Sequence, residues 1–316
     1  MAIVIGIDEA GYGPVLGPLV LAAAVLDVPQ ARTDSDLWTL LAEGVCPRPD
    51  RSERVCIADS KLLHQGNQRL GRLEHHVLAT CDAPLPASFE VFARALAIHQ
   101  SHLTHGEPWH REEFPALPLA AEASAVNRSR VVFRAALDHA GVRLRAVRVN
   151  LAQPWRFNAM VTATDNKATV LWRLAMELLE GLLGQFGDEP LLVMMDKHGG
   201  RTYYGDVLRE TFPLRRVDVV HESPGASRYR IGGKAVLDLE FREKADRTSL
   251  PVALASMYAK YVREVLMTQF NRYWSQRAGH VAPTAGYWQD YQRWQAEMQP
   301  HLATLDLPID HYVRCR

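Results

Sequence analysis

The opening of the chain restricts the fold more than any other stretch. Residues 2–7 (AIVIGI) form an apolar, β-branched run that stops at Asp8 and Glu9, the pattern of a buried strand that ends at a site. Gly11, Gly13, Pro14, Gly17 and Pro18 punctuate the next stretch, and residues 19–26 (LVLAAAVL) form a second apolar run. Two buried strands joined by a Gly-rich connection predict an antiparallel hairpin. Carboxylates brought together at a strand end are costly unless a cation neutralises them. The pair therefore points to a metal site as well as to a strand.

Beyond the hairpin, helical periodicity spans 65–80, 122–140, 164–186, 203–211, 249–270 and 286–298. Strand-like runs occupy 143–150, 190–195 and 216–220, and 231–240 reads as an additional strand or hairpin. Strands that alternate with helices after an initial hairpin predict an α/β fold with helices on both faces of a sheet. The stretch 81–119 is rich in proline and reads as an irregular excursion around one short helix at 88–97. It also holds His99, His102, His105 and His110. Their spacing fits no zinc motif, and a solvated loop is expected.

The chain has 316 residues, 47% apolar and 23% charged, which suits a folded protein and excludes disorder as its general state. Lys+Arg and Asp+Glu both number 36, so no global basic field advertises nucleic-acid binding, and any basic groove must be local. Cys46, Cys56, Cys81 and Cys315 show no CxxC spacing and are expected as free thiols. No run approaches the ~20 apolar residues of a membrane span, and the opening lacks a basic lead and cleavage site. A cytoplasmic protein is expected. No GxGxxG or GxxxxGK[ST] follows a strand, which leaves little support for a nucleotide-binding protein.

Asp196 ends the 190–195 run, and Asp246 precedes the long helix at 249–270. With Asp8 and Glu9 these are oxygen donors unaccompanied by His or Cys, a set that favours a hard ion such as Mg²⁺ or Mn²⁺. Two such ions side by side activate water and stabilise the leaving oxygen in phosphodiester cleavage. Taken alone, Asp246 reads equally well as a helix cap.

Residues 6–26 (GIDEAGYGPVLGPLVLAAAVL) closely resemble the opening of ribonuclease HII. Four further blocks stand in that family's order. Asp59-Ser60-Lys61 resembles its DSK element, and Asn166-Lys167-Ala168-Thr169 its N-x-A-T segment. Met195-Asp196 resembles the strand with the third acid, and residues 246–260 (DRTSLPVALASMYAK) the D-x-K…AAS-x-x-AK block. The resemblance implies an RNase H-like α/β fold, a mixed central β-sheet flanked by helices. A catalytic domain would span 1–270, with insertions at about 81–119 and 223–244. A C-terminal helical, aromatic-rich extension on the substrate side would span 271–316.

It further implies that Asp8, Glu9, Asp196 and Asp246 are both the catalytic and the metal-binding acids, with Mg²⁺ or Mn²⁺ as cofactor. Gly11, Tyr12, Gly13, Lys61, Asn166 and Tyr287 would meet the substrate. The implied activity is endonucleolytic: hydrolysis of the RNA strand of RNA–DNA hybrids, or cleavage 5′ of a ribonucleotide embedded in duplex DNA. Nucleic acid is the implied partner, and a monomer is expected.

The chain departs from the family pattern on the substrate side. Tyr12 stands where the family has Arg, and a phenol lacks the charged fork of a guanidinium, although it can stack on a base or sugar. Ala282 stands where the family has a tyrosine, with Tyr287 five residues on. Thr248 replaces the Lys of D-x-K. Arg228, Arg230 and Lys234 make 223–244 basic, for which a solvated hairpin is expected first and a strand-binding surface second. The alternative to an active nuclease is a ribonuclease HII-like nucleic-acid-binding protein with changed specificity or without nuclease activity.

Overall fold

The computed structural model describes residues 1–64, 69–82, 84–103, 107–110, 113–198, 201–279, 281–302 and 307–315. Ala2–Ala10 (β1) and Leu19–Val28 (β2) pair antiparallel along their length, Ala2 opposite Val28 and Ala10 opposite Val20. Five more strands complete the sheet: β3 (Arg143–Ala152), β4 (Leu191–Asp196), β5 (Val217–Glu222), β6 (Ala226–Ile231) and β7 (Leu237–Arg242). The order is β3-β2-β1-β4-β7-β6-β5. β4 runs parallel to both β1 and β7, while every other pairing is antiparallel. This mixed sheet flanked by helices is the fold class the sequence predicts.

The apolar runs of β1 and β2 lack polar alternation because both of their faces are covered. Val4, Val20, Ala22, Ala24 and Leu26 enter one core, with α1 (Arg69–Thr80), α2 (Phe89–Ala95), α3 (Ala123–Ala140) and the helix Leu250–Ala278. Ile3, Ile5, Ile7, Leu21 and Ala23 enter the other. There they meet α4 (Pro154–Thr164), α5 (Lys167–Phe186) and α6 (Gly205–Thr211). The helix Leu250–Ala278, here α7, lies directly on β1. A Cβ on Gly6 would stand 2.1 Å from Pro251 C and Val252 N, so glycine is what admits the helix. A last helix, α8 (Trp288–Leu302), joins Trp109, Phe270, Trp274 and Tyr312 in a third, aromatic core.

Several sequence expectations are corrected. The helix expected over 164–186 is the single helix α5, which starts at Lys167 because Asp165 turns left-handed (φ 49°) and Asn166 caps it; the helix α4 before it was not expected. The segment 223–244, where one strand or hairpin was expected at 231–240, supplies two strands of the sheet, β6 and β7, and β7 lies beside the central β4. Alternation was hidden there by charged residues that pair across strands. The division expected after residue 270 falls inside α7.

The stretch 81–119 packs Phe89, Phe92, Leu96 and Ile98 into the core. Its far end is pinned by buried Glu74, which accepts from the amides of Leu119 (2.7 Å), Ala120 (2.6 Å) and Ala121 (2.8 Å) and from the Tyr261 hydroxyl (2.6 Å). His110 is buried rather than solvated, with Nε2 3.1 Å from the Gln153 amide nitrogen, because the aromatic core closes over it. His105 and His280, like residues 65–68 of the first expected helix, lie outside the described residues. Among the described residues no helix is long and apolar enough to cross a membrane.

Candidate metal and active site

In the parallel register Ile7 faces Met195, so Asp8 and Asp196 leave adjacent strands at the same level. Side chains alternate across a strand. Asp8 therefore falls on the α7 side with Gly6, and Glu9 on the α5 side with Ile7. Asp8 is buried and Glu9 half-buried. Asp246 sits in a single turn, Ala245–Arg247, ahead of α7. It is not the cap of that helix, because Ser249 holds the N-cap position. Asp196 Oδ1 accepts from the Lys197 amide at 3.0 Å and the Ala245 amide at 3.4 Å. One acid thereby fixes the turn that carries another.

Each of the four acids lies within electrostatic range of at least two of the others. Burial pushes the Asp8 carboxyl well above its ordinary range, and Glu9 and Asp246 push it further, against a hydrogen bond from Ser256. Glu9 rises to about 7, first by burial and then by Asp196, with Lys61 opposing. Asp246 is raised by burial, then by Asp59 and Asp196, while Arg247 and Lys61 oppose. Like charges held together in this way favour protonation or a bound cation. Among the described residues no three His, Cys, Asp or Glu side chains already close on a common point as a metal cage. The donor set is all oxygen, carries mutual repulsion, and fits a hard divalent ion.

The Gly11–Pro18 loop beside the acids is held by two buried arginines. Arg263 donates to the carbonyls of Pro18 (2.6 Å), Leu16 (3.0 Å) and Ala285 (3.2 Å). Arg314 donates to the carbonyls of Gly11 and Pro14. Gly11 has φ 93°, and a Cβ there would meet Pro18 O at 2.7 Å, so the turn needs glycine. Tyr12 is half-buried on the α5 side, where the Lys167 ammonium lies 5.1 Å from its ring centre. Burial and then Glu9 raise the Tyr12 phenol, which places the ring within electrostatic range of the acids.

The remaining expected substrate residues divide. Gly13 is exposed, and Tyr287 Cε1 lies 3.8 Å from where its Cβ would be. The Val15 and Leu16 amides donate to Gly286 O at 2.8 and 3.2 Å. The C-terminal segment thus brings Tyr287, 55% exposed, against the glycine turn. Tyr287 is not a core residue of the last helix. Lys61 is exposed and acts electrostatically on Glu9 and Asp246. The Asn166 side-chain oxygen is occupied, accepting from the amides of Ala168 (2.8 Å) and Thr169 (3.1 Å). Its expected contact with substrate is left to the amide NH₂.

Sequence reading overlooked Asp59 as an acid neighbouring Asp246, although it lies inside the block that supplied Lys61. Asp59 Oδ1 caps the turn Ser60–Leu63, and Oδ2 meets Arg247 at 3.5 Å. Arg263 and Arg314 were also overlooked; no local motif marks a residue whose partners are far away in sequence. The basic residues of 223–244 are not a free cationic surface. Arg228 pairs with Glu240 (2.7 Å), Arg230 with Asp238 (2.7 and 3.0 Å) and Lys234 with Asp188 (2.6 Å).

No family model matches the chain, and no curated protein matches it. Among solved structures, the chain is similar to RNase HII of Archaeoglobus fulgidus, solved with PCNA, at 19% identity and TM-score 0.48, covering 99% of this chain and 94% of that one. It is similar to ribonuclease H2 of Pyrococcus horikoshii OT3 at 17% identity and TM-score 0.49, covering 99% and 92%. It is also similar to Bst-RNase HIII, solved with Mn²⁺, at 17% identity and TM-score 0.46, covering 94% and 62%.

Proposed function

We propose that this chain is a divalent-metal-dependent endoribonuclease that hydrolyses the RNA strand of RNA–DNA hybrids, or cuts 5′ of a ribonucleotide embedded in duplex DNA. The observation that carries the reading is that Asp8 and Asp196 leave adjacent parallel strands at the same level, with the turn that carries Asp246 bonded to Asp196. Asp8, Glu9, Asp196 and Asp246 would hold Mg²⁺ or Mn²⁺. Bound there, the ions supply Lewis acidity that activates water and stabilises the departing 3′ oxygen. The ordered sequence blocks that resemble ribonuclease HII support the same assignment.

The chain's own groups account for positioning. The Gly11–Gly13 backbone, held rigid by Arg263 and Arg314, offers main-chain groups to a 2′-hydroxyl. Lys61 supplies positive charge beside the acids, where a phosphate would approach. Tyr287 and Tyr12 offer aromatic faces for a sugar or base. A cytoplasmic monomer acting on nucleic acid completes the proposal.

A second reading keeps the fold but changes the substrate, and one observation favours it: a half-buried Tyr12 replaces a guanidinium beside the acids. Cleavage assays with Mg²⁺ or Mn²⁺ on an RNA–DNA hybrid, a DNA duplex with one ribonucleotide, and plain DNA separate the readings. Cutting of either ribonucleotide-containing duplex, lost in Asp8→Asn, is expected. Cutting of plain DNA alone would favour the second reading, and binding without any cutting would overturn the nuclease proposal.

A further inference from the structure

Outside the acid cluster, two buried thiols face each other. Cys46 and Cys56 are directly paired in a short parallel ladder, Val45–Cys46 beside Val55–Cys56. Neighbouring strands lie about 4.8 Å apart, within the ~4.4–6.8 Å separation of Cα atoms that a disulfide spans. Paired residues of parallel strands project to the same side, and both side chains are buried in the α1/α3 core. Backbone bonds fix the register: Val55 N donates to Gly44 O (2.9 Å) and Ile57 N to Cys46 O (3.0 Å). The Cys56 amide also donates to His76 Nδ1 at 3.2 Å.

We propose that Cys46 and Cys56 form a dithiol that oxidises to an intrachain disulfide, with a small-molecule disulfide such as oxidised glutathione as the oxidant class. The neighbouring Cys56 thiol lowers Cys46, against burial and Asp50 and with help from Arg54 and the Arg48 amide. The Cys46 thiol and then burial push Cys56 up. Cys46 is accordingly the attacking thiolate. It attacks one sulfur of the small disulfide, forming a mixed disulfide and releasing one small thiolate. Cys56 then loses its proton to solvent and attacks Cys46 Sγ, expelling the second small thiolate. Two protein thiols are oxidised, and one small disulfide is reduced to two thiols.

The link would staple the base of the segment that leads directly into Asp59 and Lys61. The ring spans 46–56, and closing it restricts the unfolded chain.

The test uses the full chain with Cys81→Ser and Cys315→Ser, which removes the half-buried and the exposed thiol. After treatment with oxidised or reduced glutathione, free thiols are alkylated under denaturing conditions and the chain is digested without reductant. The expected product joins the Cys46 and Cys56 peptides, lowers the intact mass by two hydrogens, and raises the unfolding midpoint by about 5 °C. Adding Cys56→Ser is expected to trap glutathione on Cys46. Both thiols alkylated after oxidation, or links only between separate chains, would overturn the proposal. None of these readouts depends on nuclease activity, so failure here is separable from failure of the proposed function.

Discussion

If burial and the neighbouring acids penalise an ionised Glu9, removing that carboxylate should stabilise the metal-free protein. Glu9 is the best place to measure this, because its carboxyl moves from 4.5 to about 7. The gap is roughly 2.5 units, and at ~1.36 kcal/mol per unit it corresponds to about 3 kcal/mol. The sign depends on which state holds the proton. Below pH 4.5 both the folded and the unfolded chain are protonated, and Glu9 carries no penalty. As pH rises toward 7 the unfolded chain releases its proton first, so stability falls, and above 7 the full penalty is present.

Glu9→Gln removes that penalty. In chelator at pH 8 the variant should melt roughly 6 °C above the parent chain, with the difference vanishing near pH 4.5. Saturating Mg²⁺ should close the gap at pH 8, because the parent chain gains the stabilising ligand. Thermal unfolding followed by circular dichroism under these three conditions reads the effect. A variant less stable than the parent at pH 8 without metal, or an equal difference at both pH values, would mean that the folded state does not penalise the Glu9 carboxylate.

Close contacts and exposed groups set the other expectations. Gly6→Ala places a methyl against the backbone of Pro251 and Val252 and should cost about 3 kcal/mol or more in urea unfolding, or prevent folding. Tyr287→Ala removes an exposed ring and should leave stability within ~0.5 kcal/mol. It should nevertheless raise KM for a ribonucleotide-containing duplex roughly tenfold, the loss of one stacking contact. Lys61→Met should weaken duplex binding and reduce the slope of log K against log salt by about one, as removal of a single phosphate contact does.

The sequence made the acids legible because each stands at the edge of a strong local pattern, an apolar strand or a long helix. The hairpin was legible for the same reason, since Gly and Pro isolate two apolar runs. The helix α4 was not, because only Pro154 and Phe157 of it are buried and they make no apolar stripe. The strands β6 and β7 were legible only as one strand or hairpin at 231–240, because Arg228, Arg230, Asp238 and Glu240 look solvent-facing one at a time. They are a ladder of cross-strand ion pairs on one face, while Tyr229, Leu239 and Phe241 fill the core on the other. Tyr287 was visible as a residue but not as a neighbour of Gly13, since that contact spans nearly the whole chain. Arg263 and Arg314 hold backbone carbonyls, which carry no sequence signature.

Whether Asp8, Glu9, Asp196 and Asp246 act as one cation-binding set is decided by calorimetric titration of Mn²⁺ into metal-stripped protein at neutral pH. Binding should release protons, seen as a dependence of the heat on buffer, because the Glu9 carboxyl, raised to about 7, is partly protonated beforehand. Asp8→Asn, Glu9→Gln, Asp196→Asn and Asp246→Asn should each weaken binding by roughly tenfold or more. Unchanged Mn²⁺ affinity in Asp8→Asn and Asp246→Asn, or binding without proton release, would contradict a shared site.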